Sequence, residues 1–269
     1  MDSAAIMAPM KVATWNVNSI KARLDNTLAW LKQADPDIVC LQELKCEDGA
    51  FPATAFEDLG YNLLTHGQKT YNGVAILSKM RGEDIRRGLP GDPQDQQARY
   101  IEAVFTSGNR AIRVASIYLP NGNPVDTEKF TYKLRWMDRL TAHARDLLKL
   151  EEPLVLAGDY NIIPTSLDAR HPENWVGDAL FRPESKEKFR TLLNLGLTDA
   201  IRQINGDAPD LYSFWDYQAG AWQKNNGIRI DHLLLSPQAA DLLASATIDS
   251  HVRDWERPSD HVPVLIDLK

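Results

Sequence analysis

The pattern that most restricts the fold of this chain is a succession of short apolar runs, many of which end in a turn-forming or polar segment. These runs predict strands over residues 11–17, 38–41, 61–65, 74–77, 99–106, 111–119, 154–157, 230–235, 246–250 and 262–267. Apolar residues at helical spacing predict helices over residues 22–33, 127–149 and 184–195. Strands therefore outnumber helices, and both ends of the patterned region are strands.

Hairpins and crossovers are mixed along the chain. The Ser-Gly-Asn turn at 107–109 predicts a hairpin between two of the strands. This mixture favours a layered α/β sandwich built on packed sheets over a doubly wound parallel sheet. No composition break divides the 269 residues, so we expect a single domain over 10–269, preceded by a disordered N-terminal extension over 1–9.

Composition is that of a globular enzyme, with 43% hydrophobic and 25% charged residues. No apolar run approaches the ~18 residues of a membrane-spanning helix. The first nine residues lack the basic and apolar regions of a secretory signal, and the chain has only two cysteines. We therefore expect a cytoplasmic protein without a disulfide framework.

The formal net charge of −7 argues against a passive nucleic-acid coat, which needs many lysines and arginines on phosphates. Carboxylates gathered around a metal would account for part of this charge. Any DNA-binding face must then be a local basic patch on an acidic body.

Five polar segments each adjoin an apolar strand. They are Trp15-Asn16-Val17-Asn18, Leu41-Gln42-Glu43, Gly158-Asp159-Tyr160-Asn161, Arg229-Ile230-Asp231-His232 and Ser259-Asp260-His261. Taken singly, each is explained by local turn formation, a solvated carboxylate or a structural histidine. Polar residues at strand ends, however, project into the loops above a sheet edge, where sites are usually built.

If the five segments converge, their chemistry is metal-assisted phosphoryl transfer. Glu43, with Asp159, Asp260 or the asparagine amides, would supply the oxygen ligands that Mg²⁺ or Mn²⁺ prefers. Asp159 could take a proton from an attacking water, and His261 could hold the phosphate or act as acid or base. Competing motifs, such as a phosphate loop ending in Gly-Lys-Ser/Thr, His-Glu-x-x-His or Cys-x-x-Cys, are absent from the sequence.

In this order and at these intervals, the segments resemble the exonuclease III family of AP endonucleases, within the endonuclease/exonuclease/phosphatase superfamily. The likeness runs from Lys11 to Lys269 and includes three more specific blocks, which are Gln42-Glu43-Leu44-Lys45, Gly158-Asp159-Tyr160-Asn161-Ile162-Ile163-Pro164-Thr165 and Ser213-Phe214-Trp215-Asp216-Tyr217. The resemblance implies a DNase I-like fold, a four-layer α/β sandwich with two packed mixed sheets flanked by helices. It also implies a Mg²⁺-dependent hydrolase, with Mn²⁺ as a substitute, that incises DNA 5′ of abasic sites, digests duplex 3′ ends and removes 3′ blocking groups.

The resemblance also implies roles for individual residues. Asp159 matches the base that activates water, and Asn161 matches a partner that orients it. His261 matches the histidine that contacts the scissile phosphate, with Asp231 as its paired carboxylate. Tyr118 matches a tyrosine that contacts the phosphate or supplies a proton.

The remaining candidates bind metal or substrate. The resemblance implies metal ligation by Glu43, Asn16 and Asp260, and substrate contacts by Asn121 and by Phe214 and Trp215, the aromatic wall for an extruded abasic sugar. Asn18 is a further substrate-binding candidate. Basic residues available for the DNA backbone are Lys45, Arg99, Lys129, Lys133, Arg135, Arg170, Lys224 and Arg229. Residues 129–139 are interpreted as a solvated helix face rather than a DNA contact.

The expected partner is double-stranded DNA with abasic sites or 3′ ends, bound by a monomer without membrane association. Two alternatives stay open. The first is a phosphatase or phosphodiesterase of the same fold that acts on a small phosphate ester, and the second is an inactive relative that only binds damaged DNA.

Overall fold

A computed structural model describes residues 9–269, and residues 1–8 lie outside the described part of the chain. Its strands are β1 (Met10–Asn16), β2 (Ile38–Gln42), β3 (Asn62–His66), β4 (Val74–Ser78), β5 (Gly82–Arg87), β6 (Tyr100–Ser107), β7 (Arg110–Tyr118), β8 (Leu154–Asp159), β9 (Thr198–Asp199), β10 (Asp231–Leu235), β11 (Leu243–Ile248) and β12 (Val264–Leu268). Its helices are α1 (Leu24–Ala34), α2 (Ala53–Glu57), α3 (Glu128–Leu148), α4 (Pro183–Leu193), α5 (Ala200–Asn205) and α6 (Pro237–Ala240).

The strands of residues 9–269 form two six-stranded mixed sheets. The first sheet has the order β11-β12-β1-β2-β4-β3, and the second has the order β5-β6-β7-β8-β10-β9. The central pairs, β1 with β2 and β7 with β8, are parallel, and the other neighbours are antiparallel. Each sheet therefore has one parallel pair at its centre, which explains the mixture of hairpins and crossovers in the sequence.

The two sheets pack face to face, and helices cover their outer faces. Along β1, Val12 points into the core between the sheets, whereas Ala13 and Trp15 pack on the outer side with Trp30 of α1. The outer face of the second sheet packs against α3 and α4 through residues that include Trp136. This order of helix, sheet, sheet and helix confirms the predicted four-layer α/β sandwich.

The sequence pattern did not predict β5. The segment Gly82–Arg87 is polar, is largely exposed and pairs with β6 at the edge of the second sheet. An edge strand with few buried side chains lacks the apolar alternation that identifies a strand in a sequence.

The predicted extension over 1–9 falls almost wholly outside the described residues. The single domain over 10–269 stays a prediction. Among the helices of residues 9–269, none combines the length and the apolar character needed to cross a membrane.

Candidate active site

The candidate active site lies at one edge of both sheets, where the central parallel pairs end. β1 ends at Asn16 and β2 ends just before Glu43, while β7 ends at Tyr118 and β8 ends at Asp159. The carboxyl ends of parallel strands meet at the same edge of a sheet, and the packing of the two sheets brings the two edges together. The topology therefore gathers side chains that are far apart in the sequence.

One amide group joins the two sheets at this edge. Nδ2 of Asn16 donates a hydrogen bond to Oε1 of Glu43 at 3.0 Å and another to Oδ2 of Asp159 at 2.9 Å. Asn16 and Asp159 are both buried. Hydrogen bonds to carboxylates are strong in such a setting, because little water competes for them.

Glu43 has a cation and a phenol as further neighbours. Nζ of Lys45 lies 2.8 Å from Oε2 of Glu43, and the hydroxyl of Tyr118 donates to Oε1 at 2.9 Å. Burial raises the pKa of Glu43, but hydrogen bonds from Asn16 and Lys45 and the charge of Lys45 lower it by more. Burial and the charges of Glu43 and Asp159 hold the pKa of Tyr118 well above its usual value. At neutral pH Glu43 is therefore an anion, and Tyr118 keeps its proton.

A histidine lies between two carboxylates on the other side of Asp159. Nδ1 of His261 is 2.8 Å from Oδ2 of Asp231, and its Nε2 is 3.7 Å from Oδ2 of Asp159. Oγ of Ser213 also donates to Oδ2 of Asp231, at 2.6 Å. Asp231 reaches this place because β10 runs antiparallel to β8, with Asp231 opposite Asp159. The Asp231 contact fixes the orientation of the imidazole.

The charges of this group set its ionisation. Burial lowers the pKa of His261, but the carboxylates of Asp231 and Asp159 raise it by more, so its pKa lies above the ordinary value. Burial raises the pKa of Asp159, and Asp231 adds to this effect while His261 opposes it. His261 is therefore a cation at neutral pH, which suits it to a phosphate oxygen. Asp159 is more basic than a carboxylate in water, which suits it to accept a proton.

Asn161 and Asn121 continue the network behind Asp159. The main-chain N–H of Asn161 donates to Oδ1 of Asp159 at 2.8 Å, and Nδ2 of Asn121 donates to Oδ1 of Asn161 at 3.0 Å. Asn161 has a φ of 47°, a left-handed conformation that asparagine adopts more readily than most residues. This turn directs its N–H back to Asp159.

The side chains at this edge fit a hard divalent cation. The Glu43 and Asp159 carboxylates both face Nδ2 of Asn16, and Oδ1 of Asn16 accepts from the main-chain N–H of Asn18 at 3.0 Å. Carboxylate and amide oxygens are the ligands that Mg²⁺ and Mn²⁺ prefer. Among the described residues, Asp159, Asp231 and His261 also have ligand atoms within 4.8 Å of one another. Because His261 is protonated at neutral pH, its ring nitrogens have no free lone pair for a metal, so we regard the Glu43 side as the better metal site.

Asp260 and Asn18 contact each other beside the ion pair between Lys45 and Glu43. Nδ2 of Asn18 donates to Oδ1 of Asp260 at 3.1 Å, while Oδ1 of Asn18 accepts from Nζ of Lys45 at 2.5 Å. Lys45 thus links Asn18 to Glu43. The guanidinium of Arg99 lies over the Tyr118 ring, 4.8 Å from its centre.

The two neighbouring aromatic residues are separated in the structure. The Phe214 ring is partly exposed, lies 5.0 Å from the His261 imidazole and packs on a cluster that contains Ile228. Trp215 is only 2% exposed and packs against Trp222. Consecutive residues of an extended segment point to opposite sides, so the structure does not bring Trp215 to the predicted substrate surface.

Two basic residues proposed for the DNA backbone are buried instead. Arg229 is 1% exposed and forms salt bridges with Asp168 at 2.7 Å and with Asp199 at 2.8 Å. Lys133 is 0% exposed, so the interpretation of 129–139 as a solvated face is wrong at this residue. Neither side chain can contact a ligand at the surface.

The sequence contains a signal for the burial of Lys133 that the charge pattern obscured. Lys133 precedes Trp136, Met137 and Leu140 by three, four and seven residues, and these three are buried on the same face of α3. Ser213, which donates to Asp231, begins one of the blocks that carry the family resemblance, but the sequence pattern indicates no role for it.

A model of the Endonuclease/Exonuclease/phosphatase family matches residues 13–261, a span that includes the whole network described above. The chain belongs to this family. Among curated members, exodeoxyribonuclease III of Haemophilus influenzae is 34% identical over 267 residues, which cover 97% of this chain and 100% of the relative. The DNA repair nuclease APEX1 of Danio rerio is 32% identical and covers 97% of this chain and 83% of its own.

Solved structures of family members have the same fold. An AP endonuclease from Archaeoglobus fulgidus superposes with a TM-score of 0.91 at 35% identity, covering 97% of this chain and 99% of its own. The 3′ phosphatase NExo from Neisseria, bound to a product DNA hairpin, gives 0.92 at 40% identity with the same coverage. The resemblance to exonuclease III-type AP endonucleases is confirmed, and this family member is a hydrolase of the nuclease type.

Proposed function

We propose that this protein is a Mg²⁺-dependent DNA repair nuclease that cleaves 5′ of abasic sites and also processes the 3′ ends of duplex DNA. The main support is the position of Asp159. This carboxylate is joined to Glu43 through Asn16 on one side and faces the His261–Asp231 pair on the other. The relatives that are named as DNA repair nucleases, or are bound to DNA, support DNA as the substrate.

The three activities cleave the same type of bond. Incision 5′ of an abasic site, exonuclease action and removal of a 3′ phosphate each break a bond between phosphorus and a 3′ oxygen. The oxygen of a water bonds to phosphorus, the 3′ oxygen leaves with the bonding electrons, and that oxygen takes up a proton. One site therefore serves all three substrates, provided that it accepts the different groups that stay attached to the phosphorus after the 3′ oxygen leaves.

The residues of the network have complementary roles in this step. Asp159, held by the N–H of Asn161, takes the proton of the attacking water. The His261 imidazolium, oriented by Asp231, binds a non-bridging phosphate oxygen and stabilises the charge that develops there. The hydroxyl of Tyr118 supplies a proton at the leaving 3′ oxygen. Water attack and departure of the 3′ oxygen are thereby assisted by different groups.

Glu43, Asn16 and Asp260 would hold the metal. When bound, Mg²⁺ supplies positive charge that neutralises the phosphate and the leaving oxygen. The lowered pKa of Glu43 keeps this carboxylate ionised for that purpose.

The apolar surface beside His261 supports an abasic substrate. The Phe214 ring forms part of it and packs on the buried side chain of Ile228. An abasic nucleotide costs less to unstack than a normal one, so a small apolar surface is sufficient to select it. We propose that Asn18, Lys45, Arg99 and Asn121 contact the adjoining backbone, and that the enzyme acts as a cytoplasmic monomer.

Processing of 3′ ends as the main activity is the second candidate. It is supported by sequence identity, which is 40% to the Neisseria 3′ phosphatase and 35% to the archaeal AP endonuclease.

The test uses three end-labelled duplexes, which contain a central abasic analogue, an intact recessed 3′ end and a 3′ phosphate. Each is incubated with the protein and Mg²⁺, with EDTA as a control. Asp159→Asn is compared with Asp241→Asn, a change of the same kind at an exposed residue. EDTA-sensitive cleavage that Asp159→Asn reduces at least ~10²-fold, and Asp241→Asn does not, supports the proposal. If folded wild-type protein acts on none of the duplexes but does hydrolyse a soluble phosphate ester, the alternative substrate class is correct.

A further inference from the structure

A buried lysine joins two loops of the site from beneath. Nζ of Lys133, on α3, donates to the main-chain carbonyl of Asn121 at 3.0 Å and to that of Asn161 at 2.6 Å. Asn121 belongs to the loop after β7 and Asn161 to the loop after β8, and their side chains also hydrogen-bond each other. One ammonium group therefore fixes the relative position of the two loops.

The loop after β7 is shaped to fit this lysine. Gly122 has a φ of +91°, and a Cβ atom at that position would lie 2.6 Å from Cδ of Lys133. The glycine thus allows the main chain to pack directly on the lysine stem.

An ammonium is an expensive group to bury. Burial lowers the pKa of Lys133 to about 7, although the carboxylates of Asp178 and Asp159 oppose this effect. A methionine or leucine would fill the same space on the apolar face of α3 without that penalty. Stability of the core therefore does not explain the lysine, whereas the two carbonyl contacts do.

We propose that Lys133 is a positioning residue that holds Asn161 in the conformation which directs its N–H to Asp159. This inference rests on the proposed role of Asp159 as the proton acceptor. Asn161 is held at both ends, because its N–H contacts Asp159 and its carbonyl contacts Lys133. Within residues 9–269, no second hydrogen bond to that carbonyl is found, so its orientation depends on the ammonium.

The principal variant is Lys133→Met, which removes the donors and keeps a stem of similar length. Arg145→Met is the matched control, because it removes one cation from an exposed position on the same helix. We expect kcat to fall at least ~10-fold for Lys133→Met with KM changed less than ~3-fold, since small misplacements of catalytic groups are costly. Arg145→Met should leave both constants unchanged.

A double-mutant cycle separates positioning from general damage to the fold. If Lys133 acts by holding the N–H that orients Asp159, Lys133→Met should lower kcat no further once Asp159→Asn is present. Independent losses that multiply in the double mutant would overturn the proposal. Lys133→Arg, which keeps a cation and its donors, should recover part of kcat, and it takes the place of the methionine variant if that variant does not fold.

Hydrogen exchange gives a readout that does not depend on activity. The N–H of Asn161 should exchange at least ~10-fold faster in Lys133→Met than in wild type or Arg145→Met, because its hydrogen bond to Asp159 opens more often. Unchanged exchange in a folded variant would refute the positioning role. Wild-type protein that is inactive on all three duplexes would instead count against the proposed function, and the exchange result would still decide the role of Lys133.

Discussion

At the scale of single residues, two neighbouring carboxylates differ because their surroundings differ. Glu43 and Asp159 bind the same Asn16 amide, yet the pKa of Glu43 is lowered and that of Asp159 is raised. Lys45 contacts Glu43 directly, whereas Asp159 is more deeply buried and is close to Asp231. One carboxylate is thus suited to hold a cation and the other to accept a proton.

The role of Glu43 predicts a change in metal requirement. Glu43→Gln removes a charged ligand, so the Mg²⁺ concentration that gives half-maximal activity should rise roughly 10- to 100-fold. Glu47→Gln, at an exposed residue nearby, is the control and should leave the titration unchanged. If the Glu43→Gln titration coincides with that of wild type, Glu43 is not a ligand.

At the scale of elements, strand ends place the candidate catalytic groups, and two neighbouring strands of the second sheet, β7 and β8, come very close at their ends. A Cβ atom at Gly158, the residue before Asp159, would lie 2.0 Å from the carbonyl oxygen of Ile117 on β7. The pairing of β7 with β8 therefore depends on the absence of a side chain there.

Gly158→Ala should separate Tyr118 from Asp159 and disturb both stability and activity. We expect the free energy of unfolding, measured in urea, to fall by at least ~1–3 kcal/mol, the range for overpacking, with a matching loss of kcat. Gly177→Ala is the control, because no atom lies within 4 Å of its added Cβ. A Gly158→Ala protein as stable and active as wild type would contradict the close approach of β7 and β8.

Elements with a strong apolar pattern could be predicted from the sequence, whereas the contacts between them could not. The five polar segments indicated Asn16, Glu43, Asp159, Asp231 and His261, but the order of the strands that unites them follows from pairing over long separations. Trp215 and Lys133 were misplaced for a shared reason. The side of a strand or helix that is buried depends on what packs against it, which residue type alone does not disclose.

At the scale of the whole molecule, an acidic protein must bind a polyanion through few cations. Arg99 and Lys129 line a cavity of about 490 Å³ that also includes Asn121. Each phosphate contact contributes about −0.9 to the slope of log affinity against log salt concentration on duplex DNA. A small basic patch therefore predicts that the affinity for DNA falls only weakly as the salt concentration rises.

Arg99→Met should make that slope less negative by about 1 unit, measured from KM between 50 and 200 mM salt. Arg145→Met removes the same charge far from the cavity lining and should leave the slope unchanged. Equal shifts in both variants would show that Arg99 acts only through net charge.

A buried histidine of the second sheet, His232, predicts how stability changes with pH. Burial and Arg229 lower the pKa of His232 to about 4, whereas an unfolded histidine has a pKa of about 6.5. Between these values the unfolded chain binds more protons, so stability falls as pH drops from about 6.5 to about 4, by up to ~3 kcal/mol. His232→Gln, which keeps a donor for Ile162 and an acceptor for Arg229, should flatten this dependence in urea unfolding at pH 7, 6 and 5. The same slope in both proteins would rule out His232 as its source.

The pairing of β12 with β1 determines the stage of folding at which nuclease activity becomes possible. His261 reaches the site only when the segment before β12 joins a strand that begins some 250 residues earlier in the chain. If His261 has the proposed role, a nascent, truncated or wrongly assembled copy has no imidazolium in the site and does not cleave DNA. Nuclease activity is thereby restricted to completely folded molecules, and incompletely folded copies do not cleave DNA at unintended places.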